Sequence, residues 1–296
     1  MMTGFPERLH ERIARLDTRV CLGIDPRPEL HPSTHPENHG GDPARVARAV
    51  VAYFRSILEA TQDLIACAKL QSAFFEAMGI PGLIAMAQLI ADCRRLGVPA
   101  ILDAKRGDIG STARAYASAY LGEGVFGSDA LTVNPLLGFD SLEPFIEAAT
   151  TNSRGLFVLV KTSNPGSGDL QDLTLETGQS FYMELAKGLH SLAMRHIDES
   201  GFSPIGAVVG GTFPGALMKV RNLLPTSLLL VPGFGTQGAD PSDVAAAFLQ
   251  DGLGAVVNSG RSLTYLTEDI DYTDLAWQAT HEMRSALNAT IEGRSH

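Results

Sequence analysis

The sequence predicts an α/β fold, a (β/α)8 TIM barrel forming one domain over residues 1–296. Three observations carry that expectation. Eight short apolar runs alternate with longer segments whose apolar residues recur at helical spacing, the signature of a parallel sheet with helical crossovers. Runs such as Leu156-Phe157-Val158-Leu159-Val160 are apolar on both faces, as strands covered by helices are. No linker-like stretch divides the 296 residues, a length that single barrels of this class often reach.

In chain order the strand candidates are Arg19–Asp25, Leu64–Gln71, Val98–Ala104, Ala130–Asn134, Gly155–Lys161, Ile205–Gly211, Ser227–Val231 and Gly254–Asn258. Helical spacing is clearest at Ala44–Ala60, Gly82–Leu96, Glu176–Ile197 and Pro241–Leu249. Eight such units suit a closed barrel better than a doubly wound sheet. Pro26–Pro43 reads instead as a long loop after the first strand. His31, His35 and His39 recur there every four residues, the spacing of a metal-binding helix face, but Pro28, Pro32 and Pro36 oppose a regular helix. A solvated loop is expected rather than a metal site.

Composition narrows the function. The chain is 45% hydrophobic and 19% charged, with a net charge of −10, so it has no global attraction for nucleic acid or acidic membranes. Any anion site must be a local cluster of donors. The longest clean apolar runs fall far short of the roughly 18 residues a membrane span needs, and Met1–Val20, strewn with Glu and Arg, does not read as a leader. Cys21, Cys67 and Cys93 form no CxxC pair, which suits reduced thiols in the cytoplasm.

In a barrel the working residues stand at the carboxyl ends of the strands. Those positions hold Asp25, Lys69, Asp103 with Lys105 and Asp108, Asn134, Lys161 with Ser163, Thr212, Pro232 and Arg261. The densest group is Asp103-Ala104-Lys105-Arg106-Gly107-Asp108. Alternation along a strand puts Asp103 and Lys105 on one face, with Lys69 beside them on the preceding strand. Charges at apolar strand ends are costly unless they meet one another or a ligand. The plainer alternative is a salt-bridge network, with Asp108 or Ser111 capping a helix.

The segment DAKRGDIGST resembles the DxKxxDI signature of the orotidine 5′-phosphate decarboxylase family. LGIDPRP, CAKLQSAFFE, KTSNPG, VPGFGTQG and NSGRSL resemble other segments of that family in barrel order, over about residues 19–263. The long first loop and the KLQSAFFE wording are most similar to its longer bacterial branch. The resemblance implies decarboxylation of orotidine 5′-monophosphate (OMP) to UMP, the last step of de novo pyrimidine synthesis, with no cofactor and no metal. It implies a charged tetrad of Lys69, Asp103, Lys105 and Asp108, in which Lys105 protonates C6 and Asp103 lies against the departing carboxylate. Asp25 and Lys69 would hold the ribose hydroxyls, Ser163 the pyrimidine, and Gln237, Gly260 and Arg261 the phosphate; Pro232 is grouped with these substrate-binding positions. It further implies a homodimer in which Asp108 and Thr112 reach into the neighbouring subunit's site.

Other readings stand beside this one. The same strand-three pattern serves a related magnesium-dependent barrel, 3-keto-L-gulonate 6-phosphate decarboxylase, and a non-catalytic nucleotide-binding barrel is a third reading. Gly233-Phe234-Gly235-Thr236-Gln237-Gly238 matches the dinucleotide pattern GxGxxG, but the next strand ends at Asn258-Ser259-Gly260-Arg261, without the acidic residue such a site uses. A barrel phosphate site accounts for both glycine stretches, and 233–238 is the natural lid. Trp277 reads as helix packing, Arg106 as facing solvent or a partner, and Phe74 and Phe75 as lining the mouth or packing beneath a loop.

Overall fold

The computed structural model describes residues 3–235, 238–266 and 271–293. Eight parallel strands close into a barrel in sequence order: β1 (Val20–Ile24), β2 (Cys67–Gln71), β3 (Ala100–Arg106), β4 (Ala130–Val133), β5 (Gly155–Lys161), β6 (Ser203–Val209), β7 (Ser227–Val231) and β8 (Ala255–Ser259). The predicted strands and the barrel agree with this, within a few residues at the ends.

The helices are α1 (Phe5–Leu16), α2 (Pro43–Thr61), α3 (Ser72–Ala77), α4 (Gly79–Arg95), α5 (Gly110–Leu121), α6 (Glu143–Thr151), α7 (Gly168–Gln171), α8 (Phe181–Ala193), α9 (Pro214–Leu223), α10 (Pro241–Val244), α11 (Arg261–Thr264) and α12 (Tyr272–Glu292). Two differ from the sequence expectation. Glu176–Gln179 belongs to a turn closed by Leu175 N donating to Gln179 O, so α8 begins only at Phe181. The Pro241–Leu249 segment is one helical turn and a 3-10 turn, because Phe248 becomes extended and swings into the core.

Alternation along each strand sorts the side chains. Leu22, Leu70, Leu102, Leu131 and Val158 face the helical layer, in one large apolar cluster. Cys21, Cys67, Ile101, Ala130, Phe157, Leu230 and Val256 fill the lower barrel interior. That inner cluster is completed by α1, whose Phe5, Leu9 and Ile13 recur every four residues on one face. Helix α1, outside the segments that carry the family resemblance, therefore plugs the amino-terminal end of the barrel. Arg12 on α1 donates from all three guanidinium nitrogens to the carbonyls of Ile65, Gly97 and Gln62, which ties the plug to the ends of α2 and α4. Apolar side chains close the bottom, so the interior turns polar only toward the carboxyl ends of the strands.

The first loop contains two short 3-10 turns, Pro28–Leu30 and Pro36–His39. Its histidines act separately. His31 packs against the stacked rings of Tyr53 and Tyr272, His35 accepts from Glu37 N, and His39 Nε2 meets Ser33 O at 2.8 Å. Trp277 is a correction: it is 44% exposed and stacks on His281, while Ala276 and Met283 make the packing face.

Candidate active site

The site is built where β2, β3 and β4 run out. Gln71 pairs with Asp103 across β2 and β3, and Leu102 pairs with Leu131 across β3 and β4. Lys69, Gln71, Asp103 and Thr132 consequently share the interior face, above Cys67 and Ile101. Asp103 is the hub. Its Oδ2 accepts from Lys69 Nζ at 3.0 Å and Gln71 Nε2 at 2.9 Å. Its Oδ1 accepts from Lys105 Nζ at 2.7 Å and Thr132 Oγ1 at 2.8 Å. Four donors occupy about the full capacity of a carboxylate. Its neighbours are two ammonium groups, an amide and a hydroxyl, a set that suits an anionic ligand better than a divalent cation.

Burial and charge fix the ionisation states. Burial alone would lower the Lys69 pKa, but Asp103 and then Asp25 outweigh it and hold the ammonium above its ordinary range. Burial would raise Asp103, but Lys69 and Lys105 outweigh it and hold the carboxyl well below the usual range. Both are ionised at neutral pH. Lys69 is 4% exposed, whereas the Lys105 side chain is 45% exposed. Lys105 therefore has one hydrogen-bonded anchor and an open approach. It also lines a cavity of about 360 Å³ with Gln71, Phe74 and Arg106.

The backbone at Lys105 departs from a plain strand. Its φ is +48°, a left-handed value uncommon for a residue with a side chain, and the β3–β4 register shifts between Leu102 and Arg106. Lys105 N is held by Thr132 Oγ1 at 2.9 Å. A bulge of this kind re-aims a side chain, at a cost of about 1–3 kcal/mol that the surroundings must offset. Asp103 and Lys105 do meet, as alternation predicted, but a kinked strand makes the contact.

Asp108 is apart from this cluster. It lies in the 107–109 turn, where Oδ1 accepts from Ile109 N at 2.8 Å, and among the described residues it makes no ion pair within the chain. Thr112 is exposed on α5, opposite the buried Ala113 and Ala117. Three members of the expected tetrad thus converge within the chain, and the fourth sits at an exposed turn next to Ile109, itself 61% exposed.

Asp25 follows β1 and carries a buried Oδ1 with no hydrogen-bond partner among the described residues. A Cβ at Gly260 would come within 2.8 Å of Asp25 Oδ2, and one at Gly23 within 2.8 Å of the Gly260 backbone, so the glycine at 23 lets the ends of β1 and β8 come this close. Arg261, exposed, opens α11 beside it. Ser259 and Ser262 hydroxyls are 2.5 Å apart and lie under Gly235, so the loop after β7, starting at Pro232, rests on the loop after β8. Gln237 lies outside the described residues. Ser163 is seated against Gly210 at the end of β6. Asn134 is used locally, its Oδ1 accepting from Leu136 N at 3.0 Å.

Two residues of the cluster escaped the sequence reading, Gln71 and Thr132. A signal existed for both: each occupies an interior position at a strand end adjoining Asp103. Other residues are settled by their surroundings. Arg106 pairs with Glu76 and lies over the Tyr116 and Tyr120 rings at 5.6 Å, so it is engaged within the chain. Phe75 is fully buried, and Phe74 lies under the Arg27 guanidinium at 4.8 Å.

Comparison with known proteins identifies the family. Residues 18–269 match the model of the orotidine 5′-phosphate decarboxylase / HUMPS family. An orotidine 5′-phosphate decarboxylase of Rhodopirellula baltica is 42% identical over 99% of the chain and 100% of its own length. One of Deinococcus radiodurans is 40% identical over 98% and 99%. Among solved structures, the OMP decarboxylase of Leishmania donovani superposes with a TM-score of 0.79 at 32% identity, covering 98% of this chain and 100% of that one.

Proposed function

The chain belongs to the orotidine 5′-phosphate decarboxylase / HUMPS family, and we infer from that premise how its barrel mouth works. It decarboxylates OMP to UMP and CO2, the step that completes UMP synthesis. The observation that carries the mechanism is the Asp103 carboxylate held between the ammonium groups of Lys69 and Lys105.

Loss of CO2 from C6 leaves an electron pair in an sp² orbital that the pyrimidine ring delocalises poorly. Stabilisation must then come from charge already in place. Lys105, anchored by Asp103 and open on its other side, supplies that charge and then the proton. Asp103 lies against the carboxylate of the substrate, a repulsion relieved as CO2 departs. The unpartnered Asp25 Oδ1 and the Lys69 ammonium are suited to ribose hydroxyls, and Ser163 to the pyrimidine. Gly260 and Arg261, with the loop from Pro232 through Gln237, take the phosphate. Binding energy from that remote group supports the arrangement at C6. No metal or cofactor enters this reading, and the saturated Asp103 is consistent with it.

Purified protein treated with EDTA will consume OMP, followed by its ultraviolet absorbance, at the rate of untreated protein. Turnover that vanishes in EDTA and returns with magnesium would instead support the metal-dependent sugar-phosphate reading.

The working unit is a homodimer with shared sites. Asp108 is half-buried and Thr112 exposed on either side of the exposed Ile109, and Leu136 and Leu137 on the next loop are 68% and 53% exposed, an apolar surround suited to a second subunit. Lys105→Ala and Asp108→Ala proteins, each inactive alone, should regain about a quarter of wild-type activity when their subunits are mixed and exchanged, since half the dimers then hold one intact site. Silence after verified exchange would place Asp108 outside the site. No helix among the described residues is long and apolar enough to cross a membrane. The three buried free cysteines support a cytoplasmic location.

A further inference from the structure

Lys161 is a buried cation that the mechanism does not use. It closes β5, is 1% exposed, and follows a register shift between Leu159 and Lys161. Such a shift re-aims a side chain, and Lys161 points away from the barrel mouth. Its Nζ donates to Asp172 Oδ1 at 2.8 Å and to Ser167 Oγ at 3.2 Å. It lies 4.6 Å from the Phe213 ring centroid and 5.7 Å from that of Tyr182. An ammonium so deeply buried is tolerated only with its partners in place, so it gathers both halves of the loop that follows it.

That loop carries Ser163. Gln171 closes it a second time: its Oε1 accepts from Thr162 N and its Nε2 donates to Thr162 Oγ1, each at 2.9 Å. The end of β6 forms the other wall. Gly210 N donates to Lys161 O at 2.8 Å, and a Cβ at Gly210 would come within 2.9 Å of the Ser163 backbone and Cβ. Phe213, a few residues on, is the ring over Lys161. Ser163 is thus set between a glycine floor and a loop drawn tight from behind.

We propose that the Lys161–Asp172 pair is a latch that positions Ser163 for the pyrimidine, making Lys161 and Asp172 positioning residues for substrate binding rather than catalytic ones. The proposal rests on the reading of Ser163 as the pyrimidine contact. Its consequence is a separation of kinetic parameters: a slack loop weakens binding of the base, while the Asp103–Lys105 cluster on the other strands keeps its geometry.

The test is steady-state kinetics with OMP and equilibrium binding of UMP. Asp172→Asn, at a half-exposed position, removes the ion pair without burying anything new, and Lys161→Met removes the charge while keeping the stem. Both should raise KM and the UMP Kd by about tenfold with kcat within about threefold of wild type, and Lys161→Arg should recover most of the loss. Combined with Ser163→Ala, Asp172→Asn should add little, because both changes remove one contact. If Ser163→Ala leaves KM unchanged, the pyrimidine role of Ser163 fails. If Ser163→Ala raises KM but Asp172→Asn does not, or lowers kcat instead, the latch fails while that role stands.

Discussion

Replacement of Lys105 by alanine will slow OMP turnover by at least about 10⁴-fold, because one side chain supplies both charge stabilisation and the proton. UMP affinity will stay within about tenfold of wild type. Lys105 is the exposed member of the cluster, with a side chain 45% accessible, so its removal leaves no buried charge stranded. Asp103 keeps Lys69, Gln71 and Thr132 as partners. The phosphate and ribose contacts proposed at β1, β7 and β8 are untouched. Parallel measurement of kcat and of the UMP Kd checks both halves. Turnover within tenfold of wild type would remove Lys105 from the chemistry.

Asp103→Asn will fail differently. The amide matches the carboxylate in size but removes the carboxylate paired directly with the Lys69 ammonium, 4% exposed, leaving only the weaker influence of Asp25. Breaking a buried pair from one side typically costs about 3–5 kcal/mol, a large share of the stability of an ordinary domain. The variant should therefore lose activity and unfold at clearly lower urea concentration. The pH dependence carries the sign. Asp103 has its folded pKa held below the unfolded value by Lys69 and Lys105. Its contribution is fully present above the unfolded carboxyl pKa of about 3.9 and is lost as pH falls from there toward the folded value. Lys69 is the converse, raised in the folded state. Its contribution is present below the unfolded pKa of about 10.4 and declines above it. Urea midpoints from pH 7 down to pH 3 should fall more steeply for wild type than for Asp103→Asn. Parallel curves would mean that the pair contributes nothing net to folding.

Much of this was legible in the amino-acid order. Period-two alternation placed Asp103 and Lys105 on one face, with Lys69 beside them on the preceding strand, and the apolar runs fixed which segments became strands, because burial under helices leaves few other residue types possible. Local pattern did less well where the chain reverses. Glu176–Gln179 has helical spacing yet folds as a turn, and Trp277 sits among packing residues yet faces outward, since each outcome depends on what lies opposite.

The sequence by itself determined the barrel, the order of its strands and the charged residues at their ends, for these follow from periodicity and from the cost of burying charge. Only the tertiary structure decided how those residues meet. The left-handed Lys105 and its bond to Thr132, the entry of Gln71 into the cluster, the outward turn of Lys161 and the α1 plug all depend on register between strands far apart in the chain. Register is set by closing the whole barrel, a condition on every strand at once that no local stretch of sequence contains.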